Sequence, residues 1–356
     1  MPKSEFISGF FRAIVPIVVA LLLGSVVILI SGDNPLNVYF LLLRESAGGW
    51  NQIQSTLTSS TVLLFTATAT AIAFRAGIFS LAAEGSLIAG GFAAAVVGAS
   101  LTLSSPFIAI PIVLLASMIA GLVAAAIPAA LRAWLGVDEV VSTLLFTFII
   151  AGVVTWLVQT RFQAPGQANS ATSYVADVAT LPRDILGSGI GGGFLLGLLC
   201  VGTYGIWVKR SSSGFAVRML GTAPRYAKAI GVRAPIYIFS VMAMTGVVAG
   251  LGGGVHLTGL VGRYVEGFSA GYGFTGLAIA ILARMNPWGI IAGAIFFGAI
   301  TSAGGTVQLF SDIPLDIVNV LQGLIMLTVV VDYSVLKRKR RRSRGDSTIS
   351  TPGGAT

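Results

Sequence analysis

The chain has 356 residues, of which 55% are hydrophobic and only 10% charged, and its 22 Lys and Arg against 13 Asp and Glu leave a net charge of +9. Soluble domains carry roughly a quarter charged residues, so this balance excludes an ordinary water-soluble fold. A single cysteine, Cys200, and a single histidine, His256, exclude an internal disulfide, a thiolate cluster and any multi-histidine metal site within the chain.

Residues 1–12 form a short N-terminal segment with Lys3 and Arg12, expected in the cytoplasm. The apolar run from Ala13 to Ile30 is helix-length, longer than the apolar region of a cleaved signal peptide, and is read as the first membrane span. Charge-free runs follow at 46–74, 85–131, 140–160, 185–208, 234–262, 267–283 and 285–311. A helix crosses the hydrocarbon core with about 20 mostly apolar residues, and lipid offers its backbone no other hydrogen-bond partner. Run 85–131 suffices for two crossings, with a break near Ser104-Ser105-Pro106, and run 46–74 opens on a polar lead-in, Asn51 to Ser60. The period-two alternation of a barrel is absent. The expected fold is all-α and polytopic, with about ten transmembrane helices. They fall at 13–31, 57–74, 78–98, 106–131, 139–159, 191–208, 236–257, 269–283, 287–305 and 316–333, within a membrane domain 13–334.

With the N-terminus inside, this pattern returns the C-terminus inside. The external loops then hold only Arg44, Arg161, Arg183 and Arg263, and the other eighteen basic residues are cytoplasmic, as the positive-inside rule requires. The tail, 335–356, opens with seven basic residues in Lys337–Arg344. Placed directly after a span, that cluster reads as a solvated flank on anionic lipid and not as a nucleic-acid site; the residues beyond it have a disordered composition.

Between the sixth and seventh spans lies the one long charged island, a loop over 209–235, with six basic and no acidic residues in Lys209–Arg233. Gly221 and Gly231 bracket a short helical segment with Pro224 near its start, and Arg225, Lys228 and Arg233 give it a basic surface. A positive-inside loop explains the charge but not the bracketed helix.

Catalytic chemistry is nearly absent. Gly-Lys never occurs, so no P-loop is present; no cofactor or metal is expected, and His256 reads as a packed side chain. Asp138, Glu139 and Asp316 open spans, where carboxylates suit the helix dipole. Glu84 differs, lying about a turn and a half inside its span, and intramembrane ionisable groups are functional candidates. Arg75 is a candidate partner for it. Glycine contributes 45 residues, many at small-xxx-small spacing such as Gly90 and Ala94, Gly246 and Gly250, and Gly289 and Gly293, which lets helix backbones approach closely. The stretches 85–92 and 289–296 echo each other, so an internal repeat of the kind common in transporters is expected.

Four segments, in order, resemble one family. Phe74-Arg-Ala-Gly-Ile-Phe-Ser-Leu-Ala-Ala-Glu-Gly-Ser-Leu-Ile-Ala-Gly, Gly136-Val-Asp-Glu-Val-Val-Ser-Thr-Leu-Leu, Gly221-Thr-Ala-Pro-Arg-Tyr-Ala-Lys-Ala-Ile-Gly-Val and Gly273-Phe-Thr-Gly-Leu-Ala-Ile-Ala-Ile-Leu-Ala-Arg-Met-Asn-Pro-Trp-Gly are similar to signatures of ABC importer permeases for branched-chain amino acids, simple sugars and nucleosides. The closest branch is that for nucleosides and simple sugars. The resemblance implies a transport subunit without enzymatic activity of its own, in the bacterial inner membrane. It implies a cytoplasmic ATPase that docks on Gly221, Pro224, Arg225, Lys228 and Gly231, a second homologous permease, and an extracytoplasmic solute-binding protein, for which the polar loop 163–173 is the expected contact. It also marks Ser80, Glu84, Ser86 and Thr147 as translocation-path candidates. Ser80 stands where the family has Asn, Ser86 where it has Gln, and Thr147-Phe148 where it has Asn-Tyr, which removes amide donors and acceptors and leaves the substrate open among nucleosides, sugars and other small polar solutes. The competing reading is an ion-coupled secondary transporter, for which Glu84 alone would serve as the coupling residue; an intramembrane enzyme lacks a matching pair of residues.

Overall fold

The computed structural model describes residues 34–310 apart from 102, 167, 168 and 183–189, with short described stretches inside 19–30 and 320–328. The expected spans 13–31 and 316–333 and the basic tail lie largely or wholly outside the described residues. The chain separates into two units, Leu41–Thr306 and the terminal segments Met1–Phe40 with Val307–Thr356. In the terminal unit the Tyr39 hydroxyl donates to the Leu21 carbonyl at 2.6 Å.

The described residues form helices α1 Pro35–Ala47, α2 Trp50–Arg75, α3 Ala82–Ser100, α4 Pro106–Leu135, α5 Glu139–Leu157, α6 Gly192–Arg210, α7 Ser212–Thr222, α8 Pro224–Ala229, α9 Ala234–His256, α10 Tyr272–Leu282 and α11 Pro287–Phe310. Wider π-turns extend α5 to Phe162 and α9 to Val261. Isolated bridges join Gln163 to Thr172 and Ala171 to Val265, and no strand occurs among the described residues. Seven of the helices are long and apolar enough to cross a membrane, so this is a multi-pass membrane protein.

Three differences from the expected spans stand out. The polar lead-in Asn51 to Ser60 is helical, because α2 starts at Trp50. Hydroxyls along it return to their own helix, as in Ser60 to the Thr56 carbonyl at 2.6 Å and Thr68 to the Leu64 carbonyl at 2.6 Å, while Thr56 donates to the Ser46 carbonyl of α1 at 2.9 Å, so these groups need no water. Secondly, α1 occupies a stretch expected as loop. Thirdly, the span expected at 269–283 is an eleven-residue helix, α10; at about 1.5 Å per residue it covers roughly half of a 30 Å hydrocarbon core.

Helix α2 is the innermost, with 78% of its apolar window buried, whereas 22% of the α5 window is. α9 lies against α2, α3 and α4. That last crossing depends on glycine, since a β-carbon on Gly250 would meet Gly121 Cα at 2.8 Å and one on Gly246 would meet the Gly121 carbonyl carbon at 3.1 Å. Close backbone approach of this kind drives helix association where the hydrophobic effect is weak. At the α4–α5 corner Gly136 closes α4 in the left-handed region with φ 70°, and Arg132 Nε pairs with Glu139 at 3.0 Å.

Asp138 caps α5, its Oδ1 accepting from the Val140 and Val141 N–H groups at 2.9 and 3.0 Å. Asp138→Ala removes both acceptors. It is expected to cost about 1 kcal/mol, read as a fall of about 2–4 °C in thermal unfolding of the detergent-solubilised protein.

Candidate functional site

The two ends of the main unit are built differently. At one end the chain leaves α6 through a capped corner, in which Ser211 Oγ accepts from the Gly214 N–H at 2.9 Å and the Trp207 indole donates to Ser213 Oγ at 2.9 Å. This corner starts α7, whose Ala216 and Val217 are buried, and α7 packs against α2 and α9.

Gly221, in the last turn of α7, lies directly on the turn that follows α2. A β-carbon there would meet the Arg75 carbonyl oxygen, and would come within 2.9 Å of the Ala76 carbonyl carbon and the Gly77 nitrogen. Pro224 then opens α8, where its fixed φ suits the first helical position. Gly231 ends the segment with φ 85°. Ala227 is buried and anchors α8, while Arg225, Lys228 and Arg233 are exposed together with Tyr226 and Ile230. The structure thus brings Gly221, Pro224, Arg225, Lys228 and Gly231 into one protruding element with a seat on α2.

Arg75 sits beside that seat. Its guanidinium donates to the Met285 carbonyl at 2.8 Å and to the Tyr204 hydroxyl at 3.3 Å, and Tyr204 donates to the same carbonyl at 2.9 Å. The expected Arg75–Glu84 pair is therefore not formed. Arg75 belongs to the last turn of α2 and reaches Tyr204 of α6 and the α10–α11 turn, whereas Glu84 is held by Ser269 and the start of α10. Met285 and Arg284 have φ of 59° and 50°, an uncommon conformation for side-chain-bearing residues, so the carbonyl that both donors hold belongs to a tightly wound turn.

The four path candidates divide among different neighbours. Glu84 is buried, with Ser269 donating to one carboxyl oxygen and the Gly273 N–H donating to the other at 2.6 Å. The carboxyl group thereby caps the start of α10, where a helix dipole favours it. Gly273 permits the approach, because a β-carbon there would lie 2.5 Å from Glu84 Cα. Ser80 Oγ accepts from the Ala82 N–H at 3.2 Å, and Thr143 Oγ1 accepts from the Leu81 N–H at 3.0 Å, so these two hydroxyls cap α3. Thr147 donates to the Thr143 carbonyl at 2.9 Å and packs against Gly85, whose β-carbon would lie 3.1 Å from it. Ser86 is buried and its hydroxyl has no hydrogen-bond partner among the described residues. Successive helical residues point about 100° apart, so Glu84 faces α10, Gly85 faces α5 and Ser86 turns to a third side.

At the opposite end, the loop 163–182 is stitched down through its backbone. Thr172 N–H donates to the Tyr264 carbonyl at 2.9 Å, Ala176 N–H to the Gly98 carbonyl at 3.0 Å and Leu181 N–H to the Thr258 carbonyl at 3.1 Å. The described part of the loop forms a cap with Tyr174 on its surface, 64% exposed and stacked under the Arg263 guanidinium at 4.7 Å. Ser269, Tyr204 and Met285 as partners carry no local sequence signal: Arg284 and Met285 have no turn signature, and Ser269 lies 185 residues from Glu84.

The family described as branched-chain amino acid transport system / permease component matches residues 52–330. A glucose ABC transporter permease protein of Haloferax volcanii is 28% identical over 330 residues, 89% of this chain and 86% of that protein. A nucleoside ABC transporter permease protein of Lactococcus lactis subsp. cremoris is 26% identical, covering 90% of this chain and 91% of its own. A guanosine ABC transporter permease protein of Bacillus subtilis is 25% identical, covering 92% and 95%. No solved structure gives a significant match.

Proposed function

The chain belongs to the branched-chain amino acid transport system / permease component family, and on that premise we propose that it forms the translocation path of an ATP-binding cassette importer for a nucleoside or related simple sugar. The similar permeases named for nucleosides, guanosine and glucose support the substrate class. The protruding basic helix α8 carries the mechanistic part of the reading. A separate cytoplasmic ATPase receives Arg225, Lys228 and Arg233 in a groove, and its ATP-driven closure displaces α7 and α8. Because Gly221 abuts the turn after α2, that displacement acts on α2 as well as on α6 and α9, which flank the segment.

The remaining parts of the proposal follow from the same reading. A second homologous permease completes the path, and an extracytoplasmic binding protein delivers solute at the polar loop 163–173. The chain crosses the bacterial inner membrane about ten times as an internal repeat, α10 making one crossing together with the irregular stretch 262–271 before it, with both termini in the cytoplasm. Ser86 and Thr147 border the path, Ser80 supports its wall, and Glu84 holds α10 beside it. No cofactor takes part.

Affinity purification of the tagged protein from its native membrane tests the coupling. The wild type is expected to bring down an ATPase, and Arg225→Glu/Lys228→Glu to lose it, because two reversed charges meet a surface complementary to basic residues. A chain that purifies alone and moves solute on an ion gradient without ATP would replace the importer reading by the ion-coupled one.

A further inference from the structure

Near the loop 163–182, α2, α6 and α9 enclose a cavity of about 160 Å³ whose lining includes Thr58, Thr61, Gly193, Phe194, His256 and Leu260. No carboxylate, lysine or arginine is among its described lining residues. His256 is only 5% exposed, and its ring is held on edge by Phe268 and Tyr272, with centroids at 5.1 and 5.2 Å. Those contacts fix the imidazole plane without hydrogen-bonding it. No described residue hydrogen-bonds either ring nitrogen, and the ring lines the cavity, so the imidazole is left to a partner that enters the cavity.

The rest of the lining matches a solute. Thr58 and Thr61 spend their hydroxyl protons on the Gln54 and Leu57 carbonyls at 2.8 and 3.0 Å, so each presents oxygen lone pairs. A neutral imidazole adds one donor and one acceptor. Phe194 and Leu260 supply apolar wall. A cavity of about 150 Å³ holds one six-membered ring.

We propose that this cavity is a solute subsite of the chain, taking the edge of a neutral six-membered ring that carries both a donor and an acceptor, as a pyranose or a pyrimidine base does. Its place on the transport path rests on the importer reading; its binding chemistry does not.

The test uses membrane vesicles holding the full complex, with Thr58→Cys introduced in a Cys200→Ser chain and labelled by a maleimide. Glucose and uridine are the probes, one for each source of the ring. One of them is expected to slow labelling at millimolar concentration. His256→Phe keeps the stacked ring but removes both nitrogens, and should raise the half-protecting concentration about tenfold. His256→Gln retains a donor and an acceptor and should remain near the wild type, which separates lost recognition from lost folding. No protection by either probe, or equal protection in His256→Phe, overturns the subsite. ATP-driven uptake is followed in the same vesicles. Uptake without protection removes the subsite and leaves the importer, whereas protection without ATP-driven uptake removes the importer and leaves the subsite.

Discussion

Gly221→Val is expected to reduce ATP-driven uptake by at least about tenfold, the effect of 1.4 kcal/mol or more at the coupling step. The reason is steric and local. The α7 backbone at Gly221 rests on main-chain atoms of Arg75, Ala76 and Gly77, and main chain cannot rotate away as a side-chain end can. Overpacking such a contact costs about 1–3 kcal/mol, and relief is available only by lifting α7 from its seat on α2. The proposed ATPase docking surface lies further along, on Arg225 and Lys228, and the substitution does not touch it. The predicted signature is therefore an assembled complex that hydrolyses ATP without moving solute. Gly136→Asn is the control, because φ of 70° is a conformation asparagine tolerates and nothing lies within 4 Å of a β-carbon there. Uptake is measured as initial rate in proteoliposomes of the assembled complex. A wild-type rate in Gly221→Val would show that the α7–α2 contact carries no coupling.

What could be read in advance divides along the range of the signals. Segments governed by local chemistry were legible: Asp138 as a charge at the start of α5, Pro224 opening α8, Gly231 closing it, and the long apolar helices themselves. These depend on residues within a few positions of each other. The length of α10 was not legible, because an apolar run of seventeen charge-free residues, 267–283, reads the same whether it crosses or turns back. What shortens it is the irregular stretch before it, where Gly267, Ala270 and Gly271 take φ of 77°, 44° and 78°; of these only the glycines carry a signal. The partners of Glu84 were equally hidden, since Ser269 lies 185 residues further along the chain. Composition marked Glu84 as unusual but had no means of saying what it faces.

Glu84 is where the two transport readings diverge most, and two substitutions separate them. Glu84→Ala leaves the Ser269 hydroxyl and the Gly273 N–H without an acceptor in a buried site. At about 1–3 kcal/mol for each unpaired donor, the loss is expected to be about 3–5 kcal/mol. At about 2–4 °C per kcal/mol, thermal unfolding in detergent should fall by roughly 10 °C, and uptake should fall with the amount of folded protein. Glu84→Gln behaves differently. Its amide oxygen accepts from the Gly273 N–H, and its amide N–H donates to the Ser269 oxygen, whose own proton is then free to turn elsewhere. Every group at the start of α10 keeps a partner, so uptake per folded molecule should stay within about threefold of the wild type, less than the weight of one hydrogen bond. An ion-coupled carrier has the opposite requirement. There the carboxyl must bind and release the driving ion, an amide cannot, and Glu84→Gln abolishes uptake while the protein remains as stable as before. Uptake in vesicles and unfolding temperature, measured on the same preparation, therefore decide whether this carboxyl holds a helix in place or carries the energy of transport.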